Sequence, residues 1–174
     1  MSGMEKIKTA IERITHTLQS KPSFGLGMGL SKSTITNGLT CEVKEGNWTL
    51  KVDMPEQAGG NGAGPTPGVY GRAALGSCLA IGYMMRAAVM GITIRHLEVE
   101  VQADYDDGAL FGTTTDIPPG YIEIRYAVKI DSDAPEEKIM EMIETADQRS
   151  PYLDIFARAQ NCKRSILITS SKES

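Results

Sequence analysis

The sequence is poor in cysteine and histidine and has no excess of basic charge and no long uninterrupted apolar run. Each shortage removes a class of function. The three cysteines, Cys41, Cys78 and Cys162, are too few and too widely spaced for a secreted disulfide scaffold, and their odd number leaves at least one thiol free. A reducing compartment fits that pattern. No CxxC occurs, and the two histidines, His16 and His96, stand apart with no metal-ligand spacing, so neither a metal centre nor a cofactor is expected. Eighteen lysines and arginines against 22 aspartates and glutamates give a net charge of −4, which lacks the basic footprint of a nucleic-acid binder. The most apolar stretch, residues 73–90, is interrupted by Arg86 and diluted by Gly76, Ser77, Gly82 and Tyr83, so it reads as a buried helix rather than a membrane span. Near the amino terminus, Glu5, Lys6 and Lys8 fall where a secretory signal needs an apolar core, and a cytoplasmic protein is expected.

What is present describes one α+β domain over residues 1–174, a length suited to a single core. Met4, Ile7, Ile11, Ile14 and Leu18 recur at helical spacing and predict an amphipathic amino-terminal helix, which with its linker occupies residues 1–24. The runs 33–36, 39–43 and 48–52, separated by Asn37-Gly38 and Gly46-Asn47, predict an antiparallel meander. A glycine-rich loop then leads to Thr66 as helix cap and Pro67 as first helical residue of a long helix that stops at Gly91. Small residues at Ala73, Gly76, Ser77, Ala80 and Gly82 would let a second helix or a sheet approach its backbone. The loop itself lacks the endings of phosphate-binding motifs and reads as a flexible or tightly turning connection. Alternation over 97–105 and 122–130 predicts two paired strands joined by a long loop, residues 106–120. Within and after it, Asp106-Asp107 and Glu136-Glu137 read as turn and helix-start residues rather than as an acid/base pair. Asp133 is expected to cap a helix, Ser150 and Pro151 to begin another, Ile166–Ile168 to form a closing strand, and residues 170–174 to be a flexible tail. Without βαβ alternation, a doubly wound parallel sheet is excluded.

Cys78 is the residue most suited to chemistry, because its neighbours Gly76, Ser77 and Ala80 leave its sulfur reachable; as a buried thiol it would equally serve as a small hydrophobe. It lies about three turns into its helix, beyond the first turn where the dipole lowers a thiol's pKa. Activation therefore needs a cation from elsewhere. Arg72 and Arg86 share the helix, but neither is three or four residues from Cys78. Cys162, beside Lys163 and Arg164, has the more cationic sequence setting.

Three segments together, Met54-Pro55-Glu56-Gln57-Ala58-Gly59-Gly60, Gly64-Pro65-Thr66-Pro67 and Ala73-Ala74-Leu75-Gly76-Ser77-Cys78, resemble the OsmC/Ohr family of thiol-dependent hydroperoxide reductases, with a match running from about Thr34 onward. The resemblance implies an OsmC-like fold, antiparallel sheets wrapped around a long central helix, in an intertwined homodimer. It implies that Cys78 is the peroxidatic thiol, attacking a small organic hydroperoxide to give a sulfenic acid. The family's resolving cysteine, which precedes a proline, corresponds to Ser150 before Pro151. Its glutamate corresponds to Gly68 or Val69, and its activating arginine falls near residues 37–40, where no arginine stands. Resolution is then left to Cys162 or to an external thiol or dithiol. Two readings follow: a hydroperoxide reductase with a non-standard reductant, or a dimeric small-molecule-binding or scaffold protein that keeps the fold without the chemistry.

Overall fold

A computed structural model describes residues 3–169. Helix α1 (Gly3–Ser20) lies against the long helix α2 (Pro67–Met90), as its apolar stripe requires, with Met4 reaching the core. Strands β1 (Lys32–Thr34), β2 (Cys41–Glu45) and β3 (Trp48–Val52) form the expected meander, in the order β1-β2-β3 and antiparallel throughout. The tight turn between β2 and β3 places Gly46 at φ +54°, a left-handed conformation that favours glycine.

The glycine-rich loop is a turn wound around one carboxylate. Asp53, 1% exposed, accepts from the Thr40 hydroxyl at 2.8 Å and from the amides of Met54 at 2.8 Å, Asn61 at 3.2 Å and Ala63 at 3.2 Å. Gly60 is the close approach that this winding needs: a Cβ there would sit 1.9 Å from the Met54 carbonyl oxygen. Of the flexible and tightly turning alternatives, the second is the one observed.

Helix α2 runs over the residues its punctuation predicts. Gly91 stops it at φ +69°, but Thr66 caps it through its backbone alone, without a side-chain hydrogen bond. Leu75, Leu79, Tyr83 and Ala87 bury one face against a two-stranded sheet, β4 (His96–Asp104) and β5 (Glu123–Asp131), and against α4 (Glu136–Asp147). The expected close approach is to the sheet, where a Cβ on Gly76 would lie 3.2 Å from a Val101 methyl. At 24 residues and a mean hydropathy of 1.5 in its most apolar stretch, α2 does meet the length and composition of a membrane span, contrary to the reading of a run too diluted. Its place in the fold is the core helix.

In the β4-β5 hairpin Leu97, Val99 and Val101 face α2 with Ile124, Tyr126 and Val128, while the outer face carries ion pairs such as Lys129 to Glu98 at 2.6 Å. Both strands begin and end within one residue of their predicted bounds. The loop between them is not wholly irregular: Asp106 accepts from the Gly108 amide at 2.6 Å and caps a short helix, α3 (Asp107–Leu110).

Two expectations are corrected. Asp133 does not cap α4, whose preceding residue, Pro135, makes no side-chain cap; Arg95, which also binds Asp131, holds the Asp133 carboxylate. A guanidinium reaching across from the start of β4 outcompetes the helix amides. The segment Ile166–Ile168 forms no strand and is unpaired, with Leu167 89% exposed, because no sheet edge of the chain receives it. Helix α5 (Pro151–Ala157) begins as predicted, with Ser150 accepting from the Leu153 amide. The predicted tail, residues 170–174, lies outside the described residues.

Candidate active site

Helix α2 has a second face, opposite the core. Cys78, Ile81, Gly82, Met85, Arg86 and Val89 follow one another at helical spacing on it. The corner between α4 and α5 approaches this face with Ala146, Arg149, Ser150 and Pro151, and Ile11 of α1 adds a third wall. Together they line a half-open cavity of about 450 Å³, within the range of small-molecule sites. Its lining is chiefly apolar, with Cys78, Ser150, Arg86 and Arg149 among the residues that border it.

Cys78 Sγ lies 3.5 Å from Ser150 Oγ. The same oxygen accepts the Leu153 amide at 3.3 Å as the cap of α5, which leaves the hydroxyl proton available for the sulfur. A clamp behind the corner sets this geometry. Asp147, in the last turn of α4, accepts from Tyr83 at 2.7 Å on one carboxylate oxygen and from Tyr126 at 2.8 Å on the other. Burial, with the adjoining carboxylate adding to it, pushes the Tyr126 hydroxyl up to about 12 and Tyr83 higher still, so both stay protonated donors.

A cationic residue stands further along α2 itself. Arg86 is eight residues beyond Cys78, about 12 Å along the axis. Burial pushes its guanidinium below the ordinary value, and the like charge of Arg149 adds to the effect. Arg86 lies beyond the three- or four-residue spacing of helical neighbours, and Arg149 comes from another element. The available signal was the i, i+4, i+8 row Cys78, Gly82, Arg86, which is one face of a helix.

The remaining sequence candidates lie elsewhere. Gly68 is in the first turn of α2, where its carbonyl accepts the Tyr121 hydroxyl at 2.9 Å, and it does not line the cavity. Cys162 is exposed on the irregular segment after α5 and is not among the cavity's lining residues. Cys41 is half-buried in β2. Among the described residues no group of histidine, cysteine or acidic side chains is placed to hold a metal ion.

The thiol of a mid-helix cysteine, opposed by residue 150 at the next helix corner, is the arrangement that the resemblance implied. A family model described as OsmC-like protein matches residues 59–164, a span that holds Cys78, Ser150 and Cys162. The chain belongs to the OsmC family. The match begins in the glycine-rich loop, later than Thr34, so α1 and the meander precede it. An OsmC-like protein from Mycoplasma pneumoniae superposes with a TM-score of 0.65 at 19% identity, over 75% of this chain and 88% of that one. An organic hydroperoxide resistance protein from Elizabethkingia anophelis gives 0.55 at 20% identity, over 74% and 87%. An organic hydroperoxide resistance protein OsmC from Legionella pneumophila gives 0.53 at 17%, over 75% and 89%. These likenesses establish the OsmC-like fold. A comparison with curated proteins finds no match.

Proposed function

We propose that this OsmC-family protein is a thiol-dependent organic hydroperoxide reductase in which Cys78 is the peroxidatic residue. The observation that carries the reading is a thiol opening into an apolar cavity with a hydroxyl 3.5 Å away and Arg86 on the same helix face. The nucleophile is the thiolate, and the Ser150 hydroxyl is the polar group beside it. The sulfur electron pair attacks one peroxide oxygen, the O–O bond breaks, and the departing alkoxide takes a proton to leave as alcohol. Cys78 is left as a sulfenic acid. With serine at position 150, an external thiol attacks that sulfur and releases water, and a second thiol, or the second arm of a dithiol, frees Cys78 and leaves as the disulfide.

The working unit in this reading is a cytoplasmic homodimer. Phe24, Leu26, Met28, Leu30 and Trp48 are each more than 65% exposed, and Ile166–Ile168 is an exposed apolar segment lacking a strand to pair with. Apolar surface on that scale marks an interaction site, and a second copy offers its own sheet edges to such a segment.

Consumption of cumene hydroperoxide with dithiothreitol, compared among wild type, Cys78→Ser and Cys162→Ser, tests the enzyme. Cys78→Ser is expected to abolish turnover and Cys162→Ser to preserve it, with mass spectrometry finding the oxidised sulfur at Cys78. Consumption that does not depend on Cys78 would overturn the reading, and no consumption at all would favour the binding or scaffold alternative.

A further inference from the structure

Helix α2 contains Gly68, Gly71, Gly76 and Gly82, and three of these have a neighbour where a side chain would go. A Cβ on Gly68 would lie 3.4 Å from the Arg72 guanidinium, one on Gly71 3.4 Å from the Tyr121 hydroxyl, and one on Gly76 3.2 Å from Val101. Gly82 differs. Among the described residues, nothing beyond its own helix backbone comes within 4 Å of a Cβ built there. Glycine inside a helix is less stable than alanine, so packing within the described chain gives no reason for the missing side chain.

Gly82 stands one turn beyond Cys78, at the spacing that puts both on one helix face, and both line the half-open cavity. Helical side chains lean toward the amino terminus, so a side chain at position 82 would cover the turn that carries Cys78. The open space at Gly82 is therefore space beside the thiol. Another wall is Ile11, which is the residue of α1 that lines the cavity. Helix α1 half-buries Met4, Ile7, Ala10 and Ile11, and none of its residues is fully buried. It precedes the residues matched by the family model, so this wall lies outside the part of the chain that the model describes.

We propose that Gly82 and Ile11 together set the size of the molecule that reaches the Cys78 sulfur. Gly82 leaves room for its body beside the thiol, and Ile11 closes the side that α1 covers. Filling position 82 narrows the approach, whereas truncating position 11 widens it. The inference rests on the hydroperoxide reading for its chemistry, which follows the balanced steps given above, and assigns the specificity of that site to two residues that touch no reacting atom.

Access is measured first without any peroxide. Iodoacetamide and iodoacetanilide present the same reacting carbon and leaving group on a small and a large body, so the ratio of their rates at Cys78 reads space and cancels the thiolate fraction. Mass spectrometry separates Cys78 from Cys41 and Cys162. Relative to wild type, the large-to-small ratio is expected to fall about threefold in Gly82→Ala and about tenfold or more in Gly82→Leu, and to rise about threefold in Ile11→Ala. Gly82→Ala should also melt roughly 2–4 °C higher, as a glycine-to-alanine change inside a helix does, so its slower access is not a loss of fold.

The same order is expected in kcat/KM for cumene hydroperoxide relative to tert-butyl hydroperoxide, with dithiothreitol as donor, because that constant reports the oxidising half-reaction alone. An alkylation ratio that Gly82→Ala and Gly82→Leu leave unchanged, or that Ile11→Ala does not raise, overturns the proposal. So does a changed apparent mass of Gly82→Ala in size-exclusion chromatography, which would assign the open space to a second copy of the chain. Turnover of both hydroperoxides in a ratio indifferent to these variants also overturns it and leaves the hydroperoxide reading intact. Alkylation ratios that move as expected while no hydroperoxide is consumed would instead support the two walls and remove the enzymatic reading.

Discussion

Replacing Ser150 by cysteine should turn the site into a reversible cross-link. The Cys78 sulfur and the Ser150 oxygen are 3.5 Å apart, so a sulfur at the second position must move by only roughly 1.5 Å to form a disulfide. The longer bond from carbon to sulfur supplies part of that. Because the two positions are 72 residues apart, closing the loop removes chain entropy worth about 4 kcal/mol from the unfolded state. Against this, Ser150 caps α5, and cysteine is a poorer cap, at a cost of about 1 kcal/mol. Reduced Ser150→Cys should therefore melt a few degrees below wild type, and the oxidised form roughly 10 °C or more above the reduced one.

Diamide and cumene hydroperoxide make separate tests in this variant. Diamide oxidises any thiols that can meet, and so reports geometry; hydroperoxide must first form a sulfenic acid on Cys78, and so reports chemistry. The expected product in both cases is a peptide pair joined through positions 78 and 150, with two fewer free thiols by titration. If diamide leaves these positions unlinked, residue 150 does not face Cys78 and the site described above is wrong. If diamide links them but one equivalent of hydroperoxide does not, the geometry stands and the peroxidatic role of Cys78 fails.

Two further perturbations test what holds the site. Tyr83→Phe removes a fully buried donor from Asp147 and should lower stability by about 1–3 kcal/mol; it should also reduce the cross-link yield in the Ser150→Cys background, which a loss of stability elsewhere would not do. Burial raises the Asp53 carboxyl, but the Thr40 hydroxyl and the Ala63, Met54 and Asn61 amides outweigh it and hold the group below its ordinary value. A carboxyl depressed in the folded state contributes stability above its unfolded value, near pH 4, and loses it as the pH falls through the folded one. The melting temperature of wild type should accordingly approach that of Asp53→Asn as the pH drops below about 4, and a gap constant down to pH 2 would show that the charge is not what organises the loop.

The elements were legible because their signals are local. Alternation in β4 and β5, Pro67 and Gly91 at the ends of α2, and Ser150-Pro151 at the start of α5 all act within a few residues. What failed depended on partners distant in sequence. Asp133 has the chemistry of a helix cap, but Arg95, 38 residues earlier, takes its carboxylate. Ile166–Ile168 has the composition of a strand, yet a strand exists only where an edge receives it. The glycine-rich loop was visible as a loop, whereas its centre, Asp53, gathers a hydroxyl from thirteen residues before it and amides from up to ten residues after it.

At the site, a motif could find Cys78 but could not say what stands opposite it. The serine there does two things that a cysteine could not do equally well. Its oxygen accepts the Leu153 amide and so starts α5, and its proton remains free to reach the Cys78 sulfur. A thiol at that position would be a weak acceptor for the amide, and in exchange could close a disulfide. Serine thus favours a firm α4-α5 corner and a polarised sulfur over internal resolution. If Cys78 reacts with peroxides, its reducing equivalents must then arrive as a molecule entering the cavity beside Arg86 and Arg149.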